Sequence, residues 1–175
     1  MNVRSDLVLR LFCLGAVGVA FGCGSRAAAP AAEQSSLAVP ADTLAAVTLY
    51  RSPCFSGCPV YSVSVTPDGV VTYRGTDNVR RLGIERARVS PARVEALLRE
   101  LEGAGYFLLA DRYRPSEPVC GRYVPDLPTV ITTLRVGRRL QQVEHDHGCG
   151  GAPMSLRVME SRIDEALGTA RWTGN

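Results

Sequence analysis

The sequence predicts an α+β domain of two layers, an antiparallel sheet of about five or six strands packed against two helices. Three observations support this fold class: short runs of alternating apolar and polar residues, hairpin turns between those runs, and two segments with apolar residues at helical spacing. Hairpin-linked strands with separated helices are typical of a sheet that has its helices on one face. The expected element order is βββ(β)-α-ββ-α.

Four strand candidates precede the first helix. Residues 46–52 (AVTLYRS) are a short strand candidate, and residues 60–65 (VYSVSV) alternate valine and tyrosine with serine. The turn TPDGV at 66–70 supplies the Pro, Asp and Gly of a hairpin, so residues 70–75 are expected to return beside the second strand. Residues 84–90 alternate again and complete the first group.

The first helix is predicted to begin at Ser90-Pro91, with serine as the N-cap and proline at the first helical position. It is expected to end at Gly103. A proline-rich stretch, 106–128, follows without a regular period and is expected to cross the surface.

A second hairpin and a last helix complete the domain. Strands are predicted at 129–136 and 139–147 on either side of a two-residue turn. The last helix is predicted to start at Pro153 and to end at Gly168. Its apolar stripe is expected to face the core, and consists of Leu156, Met159, Ile163 and Leu167.

Composition restricts the function classes. The chain has 175 residues, of which 46% are hydrophobic, enough for one packed core. The net charge of +3 and the absence of an arginine-rich stretch argue against a nucleic-acid partner. All 20 basic residues are arginine, which excludes catalysis by a lysine amine.

Residues 1–22 have the features of a lipoprotein signal peptide. A basic start is followed by an apolar run at 11–21 that is too short to span a bilayer, and then by Gly22-Cys23. We predict that Cys23 is lipidated and becomes the mature N-terminus. The protein would then be anchored to a membrane of the bacterial cell envelope and would face the periplasm or the exterior.

Two alternatives remain open for this segment. Cleavage within RAAAPAA at 26–32 would release a soluble periplasmic or secreted protein, and an uncleaved segment would act as a membrane anchor. In the favoured interpretation, residues 23–46, rich in Ala, Pro and Ser, form a flexible tether. The single folded domain then spans 47–173.

Four cysteines lie within the predicted domain, and an oxidising envelope favours two disulfides. Cys54 and Cys58 can meet across one turn, while Cys120 and Cys149 lie at the same end of the second hairpin. These two pairs are therefore favoured. The alternative for the first pair is half of a zinc site, which would need two more ligands and reduced thiolates.

The segment EHDHGCGG, 144–151, is the best candidate for a metal site. His145 and His147 project to the same side of a strand, and such a pair can bind zinc or copper. The competing interpretation is that either histidine hydrogen-bonds the sheet edge or a neighbouring carboxylate. Cys149 adds no ligand if it forms a disulfide.

Three aromatic residues are expected on loops, where they could contact a partner: Phe55, Tyr113 and Tyr123. A loop stiffened by a disulfide would enter a partner's cleft at a low cost in conformational entropy. The alternative is that these aromatic rings cover the open ends of the sheet.

The domain resembles a bacterial family of unknown function that is found largely in exported proteins and lipoproteins. The element that carries the resemblance is R-x-P-C-x-x-x-C-P-x-Y before a hairpin, matched here by Arg51, Pro53, Cys54, Cys58, Pro59 and Tyr61. The resemblance covers roughly 45–173 and implies export and a two-layer fold. It implies no activity.

The sequence therefore favours an envelope lipoprotein whose disulfide-stapled domain is a non-enzymatic binding or structural module. It contains no nucleophile elbow and no glycine-rich phosphate loop before a helix. The expected partner is an envelope protein or a small ligand. The alternative is a zinc- or copper-binding domain centred on His145 and His147.

Overall fold

The computed structural model describes residues 45–174, which lie in one compact unit. The predicted signal peptide, Cys23 and nearly all of the predicted tether lie outside the described residues. Within the described range, no helix is both long enough and apolar enough to cross a membrane.

The α+β class is confirmed, and the sheet has seven strands in the order β4-β3-β2-β1-β6-β7-β5. The strands are β1 Val47–Arg51, β2 Val60–Val65, β3 Val70–Asp77, β4 Gly83–Arg88, β5 Arg112–Tyr113, β6 Thr129–Val136 and β7 Arg139–Asp146. Every pair is antiparallel except β5 and β7, which are parallel.

The expected sheet of five or six antiparallel strands was wrong, because the sheet has a seventh strand, β5, which is parallel to its neighbour β7. β5 lies inside the proline-rich stretch and has two residues, too few to show a period. It is held by pairing with β7 and by the backbone hydrogen bond that Glu144 donates to Asp111, 2.8 Å long.

The helices are α1 Pro91–Gly103, α2 Met154–Leu167 and α3 Ala170–Thr173. Ser90 is the N-cap of α1, as predicted, because its side-chain oxygen accepts a hydrogen bond from the Arg93 backbone N–H at 3.2 Å. α2 begins at Met154, one residue after the predicted start. α3 was not predicted, since a single turn has no apolar period to detect.

The core lies between the helices and one face of the sheet. Its fully buried members from the strands are Leu49, Val65, Val71, Tyr73, Val130, Leu134 and Val143. α3 closes one side, because the Trp172 ring stacks on Tyr73 with 4.8 Å between the ring centroids. The Trp172 carbonyl also accepts a hydrogen bond from the Arg81 N–H in the β3–β4 loop, 2.9 Å long.

The hairpin turn predicted at 66–70 requires its glycine. Gly69 has a φ of 87°, and a Cβ atom there would lie 2.0 Å from the Val89 carbonyl oxygen. The β2–β3 turn therefore packs directly against the chain that leaves β4.

One row of directly paired residues, which crosses β2, β1, β6 and β7, positions the candidate site. β1 lies between β2 and β6, so Arg51 pairs with Tyr61 on one side and with Val130 on the other. Val130 in turn pairs with His145 of β7. Because directly paired residues share a face, these four side chains point together toward the helices.

Candidate functional site

Two acidic residues of α2, Glu160 and Asp164, lie one helical turn apart and face this row of the sheet. Asp164 meets the β1 and β2 side of the row, and Glu160 meets β7. The exposed fraction is 1% for Glu160 and 19% for the Asp164 side chain. Buried carboxylates must be paired, so their partners determine where α2 lies on the sheet.

Asp164 is bound by three side chains. Arg51 donates hydrogen bonds to Oδ2 from Nε at 3.0 Å and from Nη2 at 2.6 Å. The Tyr61 hydroxyl donates to Oδ1 at 2.6 Å, and Thr169 donates to the same oxygen at 2.9 Å. Both carboxylate oxygens are therefore satisfied, by groups from β1, β2 and the turn after α2.

Burial, and then the negative charge of Asp164, raise the pKa of the Tyr61 hydroxyl above its usual range. This direction keeps Tyr61 protonated as a hydrogen-bond donor. The Arg51 charge is thus balanced by Asp164 at neutral pH, with Tyr61 as a neutral donor beside the pair.

Glu160 is bound by both histidines of the chain. Nδ1 of His145 lies 2.6 Å from Oε1, and Nε2 of His147 lies 2.7 Å from Oε2. Burial raises the pKa of Glu160, but the hydrogen bonds and the charge of His145 and His147 lower it by more. The pKa of Glu160 is therefore below its usual value. Glu160 is therefore held as a carboxylate.

The histidines lie on one side of the strand, as the sequence indicated, and both reach a neighbouring carboxylate. Sequence reasoning missed that carboxylate. A signal was present: Glu160 and Asp164 fall on the helix face that also carries Leu156, Ile163 and Leu167. Acidic residues within an apolar stripe indicate buried partners on the facing element.

Both favoured disulfides are formed, Cys54–Cys58 and Cys120–Cys149, with Cα atoms 5.3 and 4.7 Å apart. The first closes the loop between β1 and β2. The second ties the turn before Gly121 to the end of β7. None of these four sulfurs is available as a thiolate ligand for a metal.

The two disulfide-bearing loops lie side by side at the same end of the sheet. The Phe55 N–H donates a hydrogen bond to the Asp126 carbonyl at 3.3 Å. The backbone N–H of Ser52 likewise donates to the Thr129 carbonyl at 2.9 Å, and the Thr129 N–H to the Ser52 hydroxyl at 2.7 Å. The loops are therefore joined where β1 ends and β6 begins.

The three loop aromatics have different environments. Phe55 is 90% exposed and Tyr123 is 39% exposed. Tyr113 is buried, so its predicted place on an exposed binding loop was wrong. It lies in β5, its hydroxyl accepts a hydrogen bond from the Ala110 N–H at 3.0 Å, and its ring meets His145 edge-on. Pairing with β7 turns this side chain inward.

An open pocket of about 500 Å³ lies beside the second disulfide. Its apolar lining includes Val124, Leu127 and Met154, which are all substantially exposed. His147 and two arginines, Arg122 and Arg157, also line it. The pocket thus connects the exposed loops with the histidine–glutamate cluster.

We expect Arg51→Ala to lower the free energy of unfolding by about 2–3 kcal/mol, because it leaves the largely buried Asp164 carboxylate without its cation. The matched control is Arg99→Ala, which removes an exposed ion pair with Glu95 on α1 and should cost less than about 1 kcal/mol. Urea unfolding of both variants gives the comparison. Equal costs would show that Arg51 does not hold α2.

The domain should lose stability as the pH rises above 10. Burial, and then the Asp164 charge, raise the pKa of Tyr73 from 10.0 to about 12, and the pKa values of Tyr61 and Tyr106 are also raised. At a pH between the tyrosine pKa of the unfolded chain and that of the folded domain, the unfolded chain binds fewer protons than the folded domain. Each such tyrosine therefore lowers the free energy of unfolding by about 1.4 kcal/mol per pH unit.

Tyrosinate absorbance and the unfolding temperature, followed together across this range, test the prediction. These three tyrosines should ionise with unfolding in one cooperative step. Ionisation of every tyrosine near pH 10 with the fold intact would contradict it.

Comparison of the sequence with known proteins identifies the family of the chain. A search of curated proteins finds no match to the chain. Residues 45–167 match the sequence model of a family described as a domain of unknown function, DUF6438. The match covers well over half of the chain and includes both disulfides, both histidines, Glu160 and Asp164. The chain therefore belongs to the DUF6438 family.

Proposed function

We propose that the chain is a non-enzymatic protein-binding module of the bacterial envelope, anchored by a lipid at Cys23. The observation that carries the proposal is the surface at the disulfide end of the sheet. We name this the disulfide-end surface, and it consists of Phe55, Tyr123, Val124, Leu127 and Met154, exposed by 90, 39, 47, 43 and 75%.

Exposed apolar side chains that cluster in one place mark sites of protein contact more often than the same residues scattered singly. Here they lie on two loops that are bonded to each other through Phe55 and Asp126. Phe55 is carried by a loop that the Cys54–Cys58 disulfide closes, and Tyr123 and Val124 flank the other disulfide. Loops restrained in this way lose little conformational entropy on binding.

The charge inside the pocket favours an acidic partner segment there, although Tyr123 at the edge of the surface donates a hydrogen bond to the Asp146 carboxylate at 3.3 Å. Arg122 and Arg157 line the pocket, and the described lining contains no carboxylate. Arg157 donates a hydrogen bond to the His147 carbonyl at 2.6 Å, which fixes its position. The expected partner is therefore an envelope protein that presents apolar side chains next to an aspartate or glutamate.

Support for export comes from the two disulfides, which persist in oxidising compartments. Support for the anchor comes from the sequence around Cys23. The proposed lipid and tether would keep the domain near the membrane while the disulfide-end surface remains free to engage a partner.

The anchor is tested by the intact mass of the protein exported with its own N-terminal segment. We expect a diacylglycerol-modified chain that begins at Cys23 and whose four domain cysteines resist alkylation until reduced. Cys23→Ser should abolish the lipid mass and release the protein from membranes. A mature chain that begins after residue 26 and carries no lipid would contradict the anchor.

The binding surface is tested by a photoreactive phenylalanine analogue placed at Phe55 or, as control, at Leu108. Leu108 is also 90% exposed, and its neighbour Leu109 accepts a hydrogen bond from Gln141 near the start of β7, whereas the second disulfide follows the end of that strand. We expect a protein cross-link at position 55 and none at 108. The cross-linked protein is then identified, purified and titrated against the wild-type chain and its variants.

In that titration Phe55→Ser should weaken binding by about tenfold or more, as expected for an apolar anchor at a contact. Leu108→Ser should leave the dissociation constant unchanged, and Arg122→Glu should weaken binding by charge reversal. Equal cross-linking at both positions, or a dissociation constant unaffected by Phe55→Ser, would overturn the proposed surface.

A further inference from the structure

Three side chains that can bind a first-row metal ion meet beneath α2: His145, His147 and Glu160. Their ligand atoms all lie within 4.8 Å of one another. The side chains of His145 and Glu160 are 1% and 2% exposed, whereas that of His147 is 14% exposed. The group is thus enclosed by the core on one side and reaches the surface on the other.

We propose that these three residues bind one divalent first-row ion, Zn²⁺ or Cu²⁺. Two imidazole nitrogens with one carboxylate form the donor set of zinc sites that keep a coordination position open, and imidazole also suits copper. The proposal extends beyond the proposed protein-binding function and does not depend on it. The two histidines are the only ones in the chain, so both are placed in this one cluster.

The hydrogen bonds of the cluster occupy the atoms that an ion would use. His145 Nδ1 and His147 Nε2 each share a proton with a different oxygen of Glu160. An ion bound among them takes the place of these two protons, since a coordinating imidazole nitrogen must be deprotonated. Each displaced proton moves to the second nitrogen of its ring or is released to solvent.

The second nitrogen of His145 allows this exchange. His145 Nε2 is buried and has no hydrogen-bond partner among the described residues. A hydrogen bond at one ring nitrogen decides which tautomer a histidine adopts and which nitrogen can bind a metal. In His145 no hydrogen bond at Nε2 holds the proton at Nδ1. The proton can therefore move from Nδ1 to Nε2 without breaking a contact elsewhere.

Positioning of α2 on the sheet does not by itself account for the residue types of this cluster. Asp164, one turn away, already bonds the helix to Arg51 and Tyr61. Buried polar groups can often be replaced by apolar residues at no cost in stability. Two histidines and a glutamate at a buried position therefore fit a role in ion binding in addition to the positioning of α2.

The pocket beside the second disulfide provides the approach. His147 is one of its lining residues, as are Gly148 and Cys149 of the following turn. An ion can therefore reach His147 from solvent without opening the core. The same side of the site is available for a water molecule as an additional ligand.

The test uses the untagged protein, exported with its own N-terminal segment and freed of metal. It is titrated with Zn²⁺ and separately with Cu²⁺ against a chelating indicator. We expect one ion per chain and a higher unfolding temperature in the presence of the ion. For Cu²⁺, electron paramagnetic resonance should show coupling to two nitrogens.

His147→Gln should weaken binding of the ion by more than about 100-fold, since even residues that only support a ligand change affinity by 10–100-fold. Glu160→Gln should do the same. If Glu160→Gln does not fold, His147→Gln retains the test, because His147 is at the edge of the core. The control is Glu100→Gln, an exposed carboxylate paired with Arg162 on the helix surface, which should bind the ion normally.

Stoichiometric binding of either ion that His147→Gln abolishes supports the site, and the two titrations show which ion is preferred. Binding that survives His147→Gln, or occupancy well below one ion per chain for both metals, would overturn it. Neither result bears on the cross-link at Phe55, so the metal site and the protein-binding surface can fail separately.

Discussion

The arrangement of this domain depends on the burial of two carboxylates on one face of α2. A carboxylate removed from water must find a cation or several hydrogen-bond donors, or its desolvation cost is not offset. Asp164 finds Arg51 and Tyr61, and Glu160 finds the two histidines. Apolar contacts are non-directional, whereas a buried carboxylate is satisfied only where its partners lie. Two buried anions with separate partners make one position of α2 strongly preferred.

The same row of the sheet connects the core with the proposed binding features. Arg51 is the last residue of β1, and the loop closed by the Cys54–Cys58 disulfide follows it directly. His145 lies near the end of β7, and the second disulfide follows that strand. α2 is therefore bonded to the sheet close to the end from which both loops emerge. A ligand at His147 and a partner at the disulfide-end surface would share that end of the sheet.

Much of the fold could be predicted because its signals are local. The hairpin turn at Gly69, the Ser90 cap and the alternation in β2 each depend on a few adjacent residues. The four cysteines could be paired because hairpin geometry brings two of them to one end of a strand pair. Tyr113 was misjudged because the pairing of β5 with β7 joins residues about thirty positions apart, and nothing in the adjacent sequence signals it. α3 was not predicted for a different reason. A helix of one turn is too short to show the apolar period by which helices are recognised.

The sequence by itself determined the α+β class, the strands and helices with a clear period, the disulfide pairs it favoured, and the same-side placement of His145 and His147. Only the tertiary structure decided that Glu160 meets both histidines and that Asp164 meets Arg51. It also decided that the two disulfide loops touch through Phe55 and Asp126. The physical reason is the range of the interactions. Periodicity, caps and turns act between neighbours in the chain, whereas a buried carboxylate is paired by whichever element the folded topology brings opposite it.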